Sequence, residues 1–425
     1  MSLRILIVSH GHPASSAGGA EIAAYQLFQS LRQNDGVTAY FLAGADHRPV
    51  RSQARPGISP DDRPDEFQLH GDRFDRFLFA QLAQETLEAF AALLERLQPD
   101  VVHFHHYLNI GLELISIARK VRPDLRIVVT LHEYLAICHH YGTMVKVGSF
   151  DLCEAAAPGS CAQCFPDRSP VQFRHRQRHI QSCFSRADVF VAPSAFLRDR
   201  YVEWGLSAHR ITVIENGTQP PAMVPPHRPG RRRSLFGFFG QLHPFKGALE
   251  LLTAIDLLSS WPPAVSEEIG LRIHGAYLEL NERDYVGSFR SLVARHGERV
   301  HFAGPYERGD LPGLMASVDW VVVPSIWWEN SPLVIQEAFA NRRPVLCSDI
   351  GGMREKVRPG LDGFHFPARD PVALARLMCR VAGDGRIWDA LQQTIQIPTT
   401  VAEAAATHLA LYLDRTVGFA FPVRP

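Results

Sequence analysis

The chain has 425 residues, 46% of them hydrophobic and 21% charged, a globular composition in a length that exceeds one ordinary core. Lys+Arg and Asp+Glu both total 44, so no global field recruits nucleic acid. No uninterrupted apolar run approaches membrane-spanning length, and seven cysteines, an odd number, argue against a secreted disulfide framework.

The N-terminal stretch has an apolar core of only Ile5 to Val8, too short for a signal peptide, and it predicts a buried first strand. The expectation is a cytoplasmic protein, with peripheral contact to the inner face of a membrane as an added option. Short β-rich runs then alternate with longer helical patterns, which predicts parallel sheets covered on both faces. In the first half the runs are Arg4–Ser9, Val37–Leu42, Val101–His105, Ile127–Leu131, Val189–Ala192 and Ile211–Ile214. In the second half they are Leu235–Phe239, Leu271–His274, Val300–Phe302, Trp320–Val323 and Pro344–Cys347. The proline-rich segment 218–233 predicts a stiff linker between two Rossmann-like domains, 1–217 and 234–395. Ligands of such sheets bind beyond the carboxyl ends of the strands. The last helical stretch, within 396–425, is a candidate to pack back on the first domain.

After the first strand, Gly18 and Gly19 stand at a helix entry, where backbone can approach an anion and the helix dipole favours it. His103 sits within a strand and fits a core histidine, whereas His132 ends its strand, where it can bond a sugar hydroxyl or a substrate carbonyl. The second half opens with a strand and a loop ending in Lys246-Gly247 at a helix start, which would set a full charge against a diphosphate. Gly follows Lys there and no hydroxyl is placed for magnesium, so an NTP-hydrolysing loop is disfavoured. No G-x-G-x-x-G opens either half, which disfavours a dinucleotide oxidoreductase. Most informative is the segment from Ser325 to Glu337. Ser331 is a cap candidate and Pro332 fits the first turn of a helix. The free amides of Leu333 and Val334 then suit a phosphate, and Glu337 projects from the same helix face. Glu329 lies just before that helix.

Together these residues resemble the retaining GT-B glycosyltransferases of family 4. The resemblance runs through Gly18-Gly19, Asp100–His105, His132-Glu133, Asn216-Gly217, Gly240…Lys246-Gly247, Pro324-Ser325…Glu329…Glu337-Ala338 and Pro344–Glu355. It implies an α/β fold of two Rossmann-like domains facing across a cleft. It also implies transfer of a sugar from a nucleoside-diphosphate sugar, of UDP or GDP type, to a glycan or lipid-linked acceptor, with retention. By the likeness Glu337 holds the donor ribose, Lys246 the diphosphate, Glu329 contacts the transferred sugar and His132 faces it. Gly19 approaches the phosphates through its backbone, and the Leu333 and Val334 amides complete that site. Two positions depart from the family. Gln241 stands where arginine is usual, which removes one charge from the diphosphate clamp and makes Arg354 a candidate substitute. Glu133 stands where aspartate is common. A nucleotide-sugar 2-epimerase and a non-catalytic nucleotide-sugar-binding protein are the alternatives; Gln241 suggests the second.

Cys138, Cys153, Cys161 and Cys164 fall just beyond His132, and the two-residue spacing of the last pair suits one tetrahedral ion, so a structural zinc is a candidate. No catalytic metal is expected. Cys183, Cys347 and Cys379 fit small core residues. The basic run Arg174–Arg186 predicts a solvated helical face, with contact to acidic phospholipid or to a polyprenyl-diphosphate acceptor as the sharper alternative.

Overall fold

A computed structural model describes residues 2–15, 18–45, 55–219, 233–261 and 268–414; most of the proposed linker, 220–232, lies outside them. The chain divides into two compact units, Met1–Gly217 with Thr399–Pro425, and Thr218–Pro398.

The first unit is built on an eight-stranded sheet. Its strands are β1 (Leu3–Ser9), β2 (Val37–Gly44), β3 (Gly57–Pro60), β4 (Glu66–His70), β7 (Val101–Phe104), β8 (Arg126–Thr130), β9 (Val189–Ala192) and β10 (Ile211–Val213), while β5 (Phe74–Asp75) and β6 (Ala80–Gln81) form a separate hairpin. The order is β10-β9-β8-β7-β1-β2-β4-β3, and only β3 runs antiparallel to its neighbour. Ile5 to Val8 have no exposed surface because helices cover both faces of β1, which is why the run is apolar without alternation. The helix Gly19–Leu31 lays Ala24, Leu27, Phe28 and Leu31 on the sheet, an i, i+3, i+4, i+7 stripe. The register Ile5↔Val101 and Val101↔Arg126 brings the carboxyl ends of β1, β7 and β8 to one edge. His10, His105 and His132 follow those ends.

The helix Val401–Leu413 belongs to this unit and packs against Gly19–Leu31. It opens with a capping box of Thr400 and Glu403 and buries Ala405, Leu411 and Tyr412 in the same apolar cluster as Ile5 and Phe28. The Tyr412 hydroxyl meets His103 Nδ1 at 2.7 Å, and His103 Nε2 meets Thr130 Oγ1 at 2.6 Å. Both ring nitrogens of this buried histidine are thus bonded, and burial keeps it neutral, with a pKa well below the ordinary value.

The second unit is a six-stranded parallel sheet of β11 (Leu235–Gln241), β12 (Gly270–Ala276), β13 (Val300–Gly304), β14 (Trp320–Val323), β15 (Val345–Ser348) and β16 (Gly363–Phe366). Its order is β13-β12-β11-β14-β15-β16. The winding reverses between β11 and β14, which pair at Phe236↔Trp320. That reversal leaves a crevice beyond the two carboxyl ends.

Replacing Tyr412 with Phe should strand the Nδ1 of fully buried His103. A loss of about 1–3 kcal/mol is expected, read as a lower urea midpoint of the first unit; an unchanged midpoint would show that the bond carries no net stability.

Candidate active site

The loops after β11 and β14 are joined at the reversal. Beyond Gln241 the chain makes a 3₁₀ turn, Pro244–Lys246, and Gly247 then caps the helix Ala248–Leu258 with φ +73. Only glycine fits this position, since a Cβ there would lie 1.9 Å from the Pro324 carbonyl oxygen. The Ile326 N–H donates to the Phe245 carbonyl at 2.9 Å, which closes the two loops on each other.

On that base, Glu329 Oε1 accepts three hydrogen bonds: from Lys246 Nζ at 2.6 Å, from Ser325 Oγ at 2.8 Å and from Trp327 Nε1 at 3.0 Å. The ammonium also lies 5.3 Å from the Trp327 ring centroid. Burial alone would raise the Glu329 pKa, but the Lys246 charge and the three donors more than offset it and hold the carboxyl below its usual range. The Glu329 carbonyl accepts from Gly352 N–H at 2.6 Å.

The helix Leu333–Ala340 follows. Pro332, not Ser331, occupies the N-cap position, and no side chain caps the helix. The expected Ser331 cap is therefore absent; its buried hydroxyl has no hydrogen-bond partner among the described residues. Proline holds the entry by its fixed φ, and the first amides are left without a side-chain acceptor. Glu337, one turn in, is pushed above the ordinary carboxylate value by burial, with the Arg308 guanidinium at 3.5 Å in partial opposition. Beside it, Tyr306 borders an open pocket of about 570 Å³ lined also by His274, Pro305, Gly309 and Leu314. Phe239 and His274 stack at 5.0 Å behind the pocket, with Tyr306 edge-on to both. Arg308 and this aromatic group carry no periodic signal and were not singled out from sequence. Gln241 is exposed at the strand end. Arg354, the candidate substitute cation, is exposed and pairs with Asp349 at 3.3 Å.

In the first unit the strand ends bring several titratable groups together. His105 Nδ1 meets His132 Nε2 at 3.0 Å, and burial pushes His132 down to about 3, so it is a neutral hydrogen-bonding ring. The rings of His10 and His106 lie 4.0 Å apart. Gly18 is the N-cap of the helix Gly19–Leu31, and a Cβ on it would meet Glu21 Oε2 at 2.4 Å. The Glu21 carboxylate thus already sits at this helix N-terminus, 3.2 Å from His10 Nε2, while the Gly19 backbone is exposed.

Residues 17–220 match the model of Glycosyltransferase Family 4, and residues 233–384 match that of Glycosyl transferases group 1. The solved structure of Anabaena Alr3699/HepE in complex with UDP and glucose superposes over 96% of this chain and 99% of its own, with a TM-score of 0.64 at 20% identity. The chain is a glycosyltransferase of the GT-B type. Among relatives it is similar to the D-inositol 3-phosphate glycosyltransferases of Salinispora arenicola (26% identical over 75% of this chain) and Salinispora tropica (31% over 67%). It spans 66% and 57% of the lengths of those two relatives.

The four-cysteine expectation is corrected. Among the described residues no group of three or more His, Cys, Asp or Glu is placed to hold a metal ion. Cys161 and Cys164 share the short helix Pro158–Cys164, the Cys153 thiol donates to the Ala155 carbonyl at 3.3 Å, and burial raises Cys138 to about 11. The basic run is also more structural than expected. Arg174, His175 and Arg178 are exposed on the helix Pro170–Phe184, but Arg176 is buried and donates to the carbonyls of Leu135 and Ala136. No helix among the described residues is long and apolar enough to cross a membrane.

Two outcomes follow for this glycosyltransferase. Gly247→Ala must part the Lys246 turn from Pro324; a loss of about 1–3 kcal/mol is expected, and a fully stable variant would refute the contact. Glu337→Gln should raise the melting temperature near neutral pH. The folded pKa is raised, so the wild type is penalised above the ordinary carboxylate range and relieved as pH falls through the folded value. The gap between variant and wild type should therefore shrink toward acid pH, and a gap that grows there would contradict the sign.

Proposed function

We propose that this glycosyltransferase moves a sugar from a nucleoside-diphosphate sugar, of UDP or GDP type, to a glycan or lipid-linked acceptor with retention at the anomeric carbon. The observation that supports it most is the Lys246–Glu329 pair, fixed beside an uncapped helix N-terminus that carries Glu337 one turn in. In this reading the Leu333 and Val334 amides and Lys246 take the diphosphate and stabilise the charge that grows as it leaves. When the diphosphate engages Lys246, the Glu329 carboxylate is freed toward the hydroxyls of the transferred sugar. Glu337 takes the ribose after exchanging Arg308 for it, and the pocket beside Tyr306 accepts the planar base. The UDP and glucose found with HepE agree with such a donor. His132, kept neutral, bonds a sugar hydroxyl without adding charge, and the Gly18-Gly19 turn brings backbone near the phosphates. Gln241 would donate a hydrogen bond where a cation is usual. Arg174, His175 and Arg178 would meet an acidic lipid carrier.

If Lys246 and Glu329 serve the transition state, Lys246→Ala and Glu329→Gln should each lower kcat by at least about tenfold. An unaltered kcat with a raised donor KM would instead make them simple binding residues. Glu337→Ala should weaken nucleoside diphosphate binding by roughly one to two decades, the loss of a charge-assisted bond of about 1.5–3 kcal/mol. Calorimetric titration measures this, and undiminished affinity would remove Glu337 from the ribose site.

A further inference from the structure

Glu329 is buried, yet its three hydrogen bonds all fall on one oxygen. Oε2 has no hydrogen bond among the described residues. Two of the three donors come from the carboxylate's own loop and are held in place without Lys246. Ser325 is buried just beyond β14. Trp327 lays its indole along the Phe245 ring, with centroids 6.4 Å apart and planes 29° from parallel. Backbone bonds pin the segment on both sides of Trp327: the Ile326 N–H donates to the Phe245 carbonyl, and the Glu329 N–H to the Trp327 carbonyl, both at 2.9 Å. Lys246 comes from the β11 loop instead, and its side chain is 28% open to solvent.

We propose that Trp327 and Ser325 are positioning residues that keep Glu329 ionised and aimed once Lys246 has turned to the diphosphate. This rests on the sugar-transfer reading above, and every residue in it belongs to the second unit. Burial penalises the charged form of a carboxylate, and Lys246 supplies the largest opposition to that penalty at Glu329. A diphosphate that draws off the ammonium leaves the penalty standing. Unaided, the glutamate would then take a proton from water and lose its charge-assisted hold on a sugar hydroxyl. Two neutral donors on Oε1 oppose this, because hydrogen bonds to the ionised form favour it. Holding both on one oxygen leaves Oε2 open to accept from the sugar. A phenyl ring at position 327 could lie on Phe245 as the indole does; only the indole brings the N–H.

The other charged and titratable groups on the neighbouring elements are engaged elsewhere. Asp349 meets Arg354 and His365, each at 3.3 Å, and Glu337 meets Arg308 at 3.5 Å. Glu355 and Lys356 lie in the far half of the helix Gly351–Lys356, whose Gly352 N–H holds the Glu329 carbonyl. In the Lys246 loop, His243 Nδ1 accepts from the Phe245 N–H at 3.4 Å. Lys246 is the charge that acts on Glu329 directly, so its departure is felt by the two remaining donors.

The test counts the protons taken up when UDP or GDP binds, by calorimetric titration at about pH 6.5 in buffers of different ionisation enthalpy. Each protein is compared with the same protein carrying Glu329→Gln, which cancels protons exchanged by the nucleotide itself. The wild type should differ from Glu329→Gln by less than about a tenth of a proton. Trp327→Phe and Ser325→Ala should each take up more, and the two together on the order of half a proton per nucleotide bound. A loss of packing alone would not enter this count, and Ser325→Ala decides the matter if Trp327→Phe fails to fold. No added uptake in the variants overturns the proposal, as does an uptake that persists in the Glu329→Gln background. A wild type that already takes up a proton relative to Glu329→Gln overturns it as well, since Glu329 would then discharge despite both donors. Loss of nucleotide binding in both variants at the wild-type melting temperature would make the two residues ligand contacts and overturn it too. Failure of the wild type to bind either nucleotide would instead bring down the nucleotide-sugar reading, a failure distinct from the others.

Discussion

The contact between Gly247 and the Pro324 carbonyl decides where the chemistry of the second unit stands. It joins the loops after β11 and β14 at the point where the sheet reverses its winding. Without it Lys246 and Glu329, far apart in sequence, would have no fixed separation. The ion pair that the contact makes possible is no strong source of stability. Burying an ammonium and a carboxylate costs several kcal/mol per ion, and apolar side chains of equal volume often hold such loops as well or better. Its value lies in readiness: a cation and an anion, each available to a ligand of opposite demand, kept at one spot.

The two halves of the molecule solve a charge problem in opposite ways. In the second unit, charges are retained under burial because donors and counter-charges surround them, as with Glu329. In the first, burial empties the charge from the rings of His103, His105, His106 and His132. A set of imidazoles packed this closely could not all be protonated, since each cation would raise the cost of the next. Neutral rings pass order along hydrogen bonds instead, and their tautomers are set by backbone amides at one end, as His106 illustrates with its Nδ1 accepting from the Tyr107 and Leu108 N–H groups.

Much of this was legible in the sequence. The strands expected at Val189–Ala192 and Trp320–Val323 appear at those bounds, and others differ by a residue or two at their ends, because fully buried parallel strands write themselves as short β-branched and aromatic runs. The strands β3, β4 and β16 were missed for the complementary reason. The edge strands β3 and β16 tolerate Pro60 and His365, and β4, one strand in from the edge, carries Glu66 and Gln68, so no apolar run marks them. Of the site, the sequence placed Lys246, Glu329 and Glu337 on the right local elements, since their neighbours Gly247 and Pro332 carry backbone signals. It could not show that Lys246 and Glu329 touch or that Arg308 reaches Glu337. Those are contacts between segments distant in sequence, and single-sequence spacing says nothing about them. The cysteine expectation rested on spacing alone, and among the described residues no group of three or more His, Cys, Asp or Glu is placed to hold an ion.

The helix Val401–Leu413 completes the first unit although the chain has by then built the whole of the second. On the ribosome the sheet β1–β10 emerges with His103 lacking Tyr412, and with the surface of Gly19–Leu31 that this helix covers still open to water. At about 5–20 residues per second, the nearly two hundred residues between Gly217 and Leu413 impose a wait of roughly 10–40 s. The second unit, contiguous in sequence, can finish folding within that interval. The first remains an unfinished core until its last helix docks, and is the unit more exposed to chaperones and to aggregation during synthesis.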